Sequence, residues 1–142
     1  MKHTFLILML PFLIVACDRG NREENVAGRW YTPSQLEHGR VVFKNNCAGC
    51  HGENAQGTFR WNKKLADGSY PPPPLNGSAH TWHHPKRLLK RTIDNGGIPI
   101  GGKMPAFKDK LTEQDKEAVI AFFQSYWPDE IYAEWLNRGG LK

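Results

Sequence analysis

Apolar residues recur at helical spacing in three segments of the chain, and no segment alternates apolar and polar residues as a strand does. In the first segment, Thr32 stands where it can cap a helix that has Pro33 at its first position. Leu36, Gly39 and Phe43 then fall on one face. This pattern predicts an amphipathic helix whose apolar face includes one residue without a side chain.

The other two segments end at helix-breaking residues. The second covers 85–95 and stops at the Gly-Gly pair that follows it. The third begins where Thr112 and Asp115 resemble a capping box, and it stops at Pro128. The apolar positions of these two segments are Leu88, Leu89, Ile93, Val119, Ile120, Phe122, Phe123 and Tyr126. The predicted fold is therefore all-α, with three main helices.

Five consecutive residues, Cys47-Ala48-Gly49-Cys50-His51, directly follow the first predicted helix. C-x-x-C-H is the spacing at which two thiols add to the vinyl groups of one haem, and the adjacent imidazole then lies beneath the iron. Half of a zinc site and a redox dithiol are the alternative interpretations. Zinc normally takes a second cysteine pair, and a redox dithiol normally follows a strand; the sequence offers neither. The motif predicts covalent attachment of one haem c through Cys47 and Cys50, with His51 as an iron ligand.

Between this motif and the second helix, the range 52–84 has no helical or strand periodicity. The chain holds 14 Gly and 10 Pro, concentrated between the motif and Pro105. A loop of this length in a compact domain would usually count against a fold. It becomes reasonable if the loop wraps a haem that supplies the apolar surface of a conventional core.

The amino terminus has the pattern of an export signal. Lys2 and His3 precede an apolar run that is too short to span a bilayer and that ends directly before Cys17. The last residues of the run resemble the lipobox of bacterial lipoproteins, which implies cleavage before Cys17 and its lipidation. Asp18 resembles the signal that retains lipoproteins in the inner membrane. The alternative is an ordinary secretory signal cleaved nearby, and both place the domain outside the cytoplasm.

These boundaries divide the chain into four parts. Residues 1–16 are the expected signal peptide, and 17–30 the lipidated cysteine with a flexible tether. Residues 31–127 form the expected haem domain. The extension 128–142 is expected to form a short helix that packs back on the domain.

From Pro33 to Trp127 the chain resembles a class I c-type cytochrome, a monohaem all-α protein with histidine and methionine as iron ligands. The family's glycine and aromatic residue on the first helix correspond to Gly39 and Phe43. In that fold the glycine lets the last helix cross closely, so the resemblance implies contacts with Val119 and Phe122.

The second iron ligand is expected to be Met104. After removal of the signal it is the only methionine left, and glycines precede it while Pro105 follows. The heptad 101–107 resembles the family's distal-ligand loop; core packing is the alternative role for a single methionine. The resemblance also implies that the carbonyl of Pro73 accepts a hydrogen bond from His51, with Pro74 as the second choice.

The segment 79–84 contains three histidines around Trp82. These residues are interpreted as part of the haem pocket, with Trp82 against the haem or the histidines donating to its propionates. Polar surface residues leading into the second helix are one alternative. A copper-handling site, or substitute iron ligation, by His80, His83 and His84 is the other.

Charge completes the sequence-based prediction. The chain has a formal net charge of +5, and basic residues cluster near the expected methionine loop: Lys86, Arg87, Lys90, Arg91, Lys103, Lys108 and Lys110. Such a surface favours redox partners with an acidic docking surface, and export argues against nucleic acid. Because two axial ligands leave no open position for substrate, an electron carrier at the periplasmic face of the inner membrane is expected rather than an enzyme. The alternative is a haem subunit or small haem enzyme with a labile Met104.

Overall fold

The computed structural model describes residues 23–142, and within them the chain is all-helical, without strands. Its helices are α1 Pro33–Asn46, α2 Ala48–His51, α3 Lys86–Asn95, α4 Glu113–Gln124 and α5 Asp129–Asn137. Two short 3₁₀ turns, His80–His83 and Ile98–Ile100, interrupt the loops on either side of α3. The all-α prediction is confirmed. In the part of the chain from Glu23 onward, no helix is both long and apolar enough to cross a membrane.

Capping boxes set the first residues of α1 and α4. The Thr32 side chain accepts a hydrogen bond from the backbone N–H of Gln35, whose side chain accepts one in return from the Thr32 N–H. Thr112 and Asp115 make the same reciprocal pair at α4. Each pair satisfies backbone donors that a helix start would otherwise leave without a partner.

Gly39 is the point at which α1 and α4 cross. A Cβ built on Gly39 would lie 1.9 Å from the carbonyl oxygen of Ala118 and 2.9 Å from the Cβ of Phe122. One turn further along α1, the rings of Phe43 and Phe122 pack with their centroids 5.1 Å apart. The expected contact with Phe122 is present, whereas Ala118 rather than Val119 meets the glycine. The crossing therefore depends on the missing side chain.

Helix α4 forms the centre of the core. Seven consecutive residues of α4, Ala118–Gln124, are buried, and α1 supplies Val42 and Phe43 while α3 supplies Leu89 and Ile93. An α-helix buried on most sides is hydrophobic around most of its circumference. This helix fixes where α1 and the motif after it lie.

Both ends of the described chain pack on the domain. Arg29 donates to Asp129 at 2.7 Å, and the indole N–H of Trp30 donates to Gln124 at 2.7 Å. On α5, Tyr132 and Trp135 are buried. Arg29 and Trp30 therefore belong to the folded unit and not to the tether predicted for 17–30, because they bond to residues at the other end of the sequence. Cys17, the predicted lipidation site, and the predicted signal peptide lie outside the described residues.

Candidate haem site

The cysteine motif forms a single helical turn directly after α1. The N–H of Cys47 donates to the carbonyl of Phe43 at 2.8 Å, and the N–H of His51 donates to the carbonyl of Cys47 at 2.9 Å. This turn holds the two thiols and the imidazole in fixed relation to α1. Cys50 is exposed and Cys47 is half-buried.

The environment of Cys47 differs from that of a redox-active cysteine. Burial, followed by the nearby Cys50, raises the pKa of the Cys47 thiol to about 11. Redox dithiols have a thiol pKa below that of free cysteine, which makes the thiolate available near neutral pH. A half-buried thiol with a raised pKa is therefore unlike the low-pKa thiol of a redox dithiol.

His51 is buried, with 7% of its surface exposed, and its Nδ1 lies 2.9 Å from the carbonyl oxygen of Pro73. Because a carbonyl only accepts, Nδ1 must carry the proton and donate it. Burial lowers the pKa of His51, so the ring is neutral at pH 7. The unprotonated Nε2 thus keeps a lone pair for a metal, and Nδ1 has the oriented partner that metal-bound imidazoles generally have.

Met104 is half-buried and packs against the core cluster. Its carbonyl accepts a hydrogen bond from the N–H of Gly97 at 2.9 Å. A Cβ on Gly96, which has a φ of +74°, would lie 2.5 Å from that same carbonyl oxygen, and a Cβ on Gly97 would lie 3.2 Å from the Cβ of Met104. The glycines that end α3 therefore allow the methionine segment to approach closely.

The methionine segment is also tied to the loop that precedes the prolines. The N–H of Tyr70 donates to the carbonyl of Gly101 at 2.8 Å. Lys103 forms an ion pair with Asp67, and this pairing holds the pKa of the Asp67 carboxyl well below its ordinary value. Asp67 is not predictable from the sequence, because no local pattern links it to Lys103.

Two thiols on one helical turn, a neutral imidazole and a single thioether make up the donor set of this region. Soft sulfur and imidazole donors suit iron in a haem, whereas a structural zinc site takes four protein ligands. Within residues 23–142, no group of three or more His, Cys, Asp or Glu side chains is arranged to hold a metal ion by itself. The donor set therefore fits a covalently attached haem better than a bare metal.

The three histidines around Trp82 do not converge on one point. His80 stacks on Trp61 with ring centroids 4.6 Å apart and meets His84 edge-on at 5.3 Å, whereas His83 packs against Trp82 at 4.0 Å. Together with the lack of a three-ligand group among the described residues, this arrangement gives the copper interpretation no support.

Trp82 contacts the carboxyl-terminal helix. The guanidinium of Arg138 lies 5.2 Å from the centre of the Trp82 ring, and the ring packs partly against the core. These contacts are those of a tryptophan that packs between the 79–84 segment and the end of α5. The predicted position of Trp82 against the haem stays a prediction.

Several of the basic residues singled out in the sequence are neutralised locally. Lys90 lies 2.8 Å from a carboxylate oxygen of Glu113, and Lys86 lies 3.5 Å from one of Glu117. Lys103 is paired with Asp67, as described above. The basic surface is therefore weaker than the residue count suggests, and Arg87, Arg91, Lys108 and Lys110, which make no ion pair in the described chain, carry most of it.

An all-α fold with a C-x-x-C-H turn after its first helix, and with a methionine segment between the last two core helices, defines a cytochrome c domain. The chain belongs to the family described as cytochrome c oxidase, cbb3-type, subunit III, whose family model matches residues 34–123. The matched range runs from the start of α1 to the end of α4 and so includes the whole candidate site.

Curated relatives agree with this assignment. The chain is 36% identical over 86 residues to the cbb3-type cytochrome c oxidase subunit CcoP of Azospirillum brasilense, an alignment that covers 61% of this chain and 26% of that one. It is 29% identical over 109 residues to the subunit FixP of Sinorhizobium medicae, covering 72% and 34% respectively. The chain thus spans about a quarter to a third of the length of these relatives.

A solved structure supports the fold. Cytochrome cL from the marine methylotrophic bacterium Methylophaga aminisulfidivorans superposes with a TM-score of 0.51 over 88% of this chain and 85% of that one. The two sequences are 22% identical. At this level the likeness concerns the fold alone.

Proposed function

We propose that this protein is a monohaem electron carrier in which one haem c is attached through Cys47 and Cys50 and held axially by His51 and Met104. The observation that carries the proposal is the hydrogen bond from the buried His51 Nδ1 to the Pro73 carbonyl at 2.9 Å. It fixes the tautomer in which Nε2 is free to bind metal. The bound haem supplies a one-electron couple; membership of a cytochrome c family supports this role.

Each residue of the site has a distinct part in this function. The helical turn after α1 presents the two thiols, and Cys50 is the exposed one. The neutral imidazole of His51 would hold the iron through Nε2. Met104 would supply a thioether as the second ligand, a donor that favours the reduced state and raises the reduction potential. With both residues bound to the iron, electron transfer would be favoured over reaction of a bound substrate; the alternative, a small haem enzyme, requires Met104 to be labile.

The direct test is haem attachment in Cys47→Ala and Cys50→Ala variants expressed with a cytochrome c maturation system. We expect the wild type to retain haem after denaturation, each single variant to retain it through one thioether bond in lower yield, and the double variant to lose it entirely. Denaturing electrophoresis with haem staining and intact mass measure this. Retention of haem by the denatured double variant would contradict the proposal.

We further infer that the partners are redox proteins at a bacterial membrane. Relatives named as subunits of cbb3-type cytochrome c oxidase support a membrane oxidoreductase as the partner class. Lipidation at Cys17 would hold the domain at the periplasmic face of the inner membrane. Arg87, Arg91, Lys108 and Lys110 are the basic residues available for an acidic docking surface.

Oxidation by ferricyanide, a small anionic oxidant, tests the charge of the docking surface. Its second-order rate constant should fall as salt rises, because ions screen attraction to the basic surface. Replacing Lys108 and Lys110 by Gln should flatten this dependence, and Lys142→Gln at the end of the chain should leave it unchanged. A rate constant independent of salt in the wild type would exclude electrostatic steering.

A further inference from the structure

The hydrogen-bond acceptor of His51, the Pro73 carbonyl, lies in a segment, residues 72–75, in which every carbonyl accepts a hydrogen bond. Four successive carbonyl groups, those of Pro72, Pro73, Pro74 and Leu75, each accept one hydrogen bond from a different part of the chain. The donors are the Thr58 N–H at 2.9 Å, the His51 Nδ1 at 2.9 Å, the Thr81 hydroxyl at 2.9 Å and the Trp127 indole N–H at 2.7 Å. The position of the segment is therefore set from four directions.

Because proline has no N–H, the hydrogen bonds to these carbonyls are the main polar contacts that orient the segment. Pro73 and Pro74 have no N–H, so this stretch cannot be fixed by donating from its own backbone until Leu75, whose N–H donates to Ala55 at 2.8 Å. The orientation of the Pro73 carbonyl must come from the bonds to its neighbours and from packing. Thr58 and Thr81 are the nearest of these, because they bond the carbonyls on either side of Pro73. Only Thr81 does so through its side chain, so its bond can be removed by a substitution.

Gly57 packs closely against the peptide that joins Pro73 and Pro74. A Cβ at Gly57 would lie 2.4 Å from the carbonyl carbon of Pro73 and from the nitrogen of Pro74. The N–H of Gly57 donates to the carbonyl of His51 at 2.7 Å. The backbone of Gly57 therefore confines the peptide between Pro73 and Pro74, and the Thr81 hydroxyl bonds the next carbonyl along the chain.

Thr81 is suited to this role by its burial. It is 5% exposed, and its hydroxyl donates to Pro74 without competition from solvent. Removing a buried donor leaves its acceptor without a partner, which costs about 1–3 kcal/mol and allows the acceptor to turn toward another partner. A turn of the Pro74 carbonyl rotates the peptide next to the one that His51 bonds.

We propose that Thr81 is a positioning residue for the axial histidine: through Pro74 it sets the direction of the Pro73 carbonyl, and so the strength of the hydrogen bond from His51 Nδ1. The proposal rests on the proposed function, in which His51 binds the haem iron. A stronger hydrogen bond from Nδ1 makes the imidazole more electron-donating and favours the oxidised state. Weakening it should raise the reduction potential.

The test compares three variants of the haem-loaded protein. Thr81→Val keeps the shape of the side chain and removes the donor, and Thr81→Ser keeps the donor. Thr92→Val is the matched control, since the Thr92 hydroxyl also bonds a backbone carbonyl, that of Leu88 at 3.0 Å, but inside α3. The measurements are the midpoint potential and, by NMR, the exchange rate of the His51 Nδ1 proton with solvent.

We expect Thr81→Val to raise the midpoint potential and to speed exchange of the Nδ1 proton, Thr81→Ser to return both toward wild type, and Thr92→Val to change neither. An unchanged potential and exchange rate in Thr81→Val would overturn the proposal, as would equal shifts in the Val and Ser variants. If Thr81→Val does not retain haem, Thr81→Ala carries the same test. Failure of the proposed function would appear separately, as a wild-type optical spectrum without low-spin haem.

Discussion

Among single residues, the site depends on one unprotonated imidazole nitrogen, in His51, and on two glycines, Gly96 and Gly97, beside Met104. His51 keeps Nε2 unprotonated because Nδ1 donates to the carbonyl of Pro73. Met104 approaches the end of α3 because Gly96 and Gly97 have no Cβ. Both features are local, and each can be altered by one substitution without changing the ligands themselves.

Gly96→Ala should displace Met104 and weaken its bond to the haem iron. The new Cβ would lie 2.5 Å from the Met104 carbonyl oxygen, and an alanine at positive φ adds strain on the order of 1–3 kcal/mol. We expect a lower melting temperature and a weakened sulfur-to-iron charge-transfer band in the oxidised protein.

Gly68→Ala is the control for Gly96→Ala. Gly68 also has a positive φ, +83°, but a Cβ there would meet nothing within 4 Å. It should lose some stability and keep the charge-transfer band at full intensity. Equal loss of the band in both variants would show that backbone strain, and not the contact with Met104, is responsible.

At the scale of elements, the crossing of α1 and α4 positions the motif. Helix α1 leads straight into the turn that carries the two thiols and His51. Since α4 is buried along most of its length, it provides the surface on which α1 is fixed. A change in the distance between these helices should therefore reach the haem attachment turn.

Gly39→Ala tests this crossing. A Cβ placed 1.9 Å from the Ala118 carbonyl oxygen cannot be accommodated by a side-chain movement, so the helices must separate. We expect a loss of about 1–3 kcal/mol in the free energy of unfolding, measured by denaturant titration. Val41→Ala, at an exposed position of the same helix, should change it by about 0.5 kcal/mol or less. A Gly39→Ala variant as stable as wild type would mean that the helices do not pack as described.

At the scale of the whole molecule, ion pairs connect α3 to the start of α4. Lys116 is 5% exposed at its side chain and pairs with Asp94 of α3 and with Glu113. Glu113 also pairs with Lys90 of α3 at 2.8 Å. The hydrogen bonds from Lys116 and then Lys90 lower the pKa of Glu113 from its ordinary value of 4.5 to about 2.

This lowered pKa predicts the pH dependence of stability. A carboxylate with a lowered folded-state pKa contributes stability fully above its ordinary value of 4.5, and the contribution is lost as pH falls through about 2. Glu113→Gln should therefore melt below wild type at pH 7, with a gap that narrows below pH 4.5. Glu24→Gln, which removes an exposed carboxylate without an ion pair among residues 23–142, should show no such pattern. A gap that stays constant to pH 2 would contradict the assignment.

Helix starts with local sequence signals are predictable from the sequence. Residue roles that depend on partners far away in the chain are not. Thr32 and Thr112 mark helix starts because their capping partners are three residues away. The role of Thr81 could not be predicted, because its hydroxyl bonds a loop carbonyl that no periodicity marks. For the same reason the sequence does not reveal that Arg29 belongs to the folded domain, since its partner Asp129 lies 100 residues away.

Ligation of the haem iron by both His51 and Met104 can be tested by optical spectroscopy during a redox titration. The oxidised wild-type protein should show a sulfur-to-iron charge-transfer band. The Met104→Ala variant should lack that band and have a lower midpoint potential, because the thioether favours the reduced state. A Met104→Ala variant with an unchanged spectrum and potential would show that Met104 does not bind the iron.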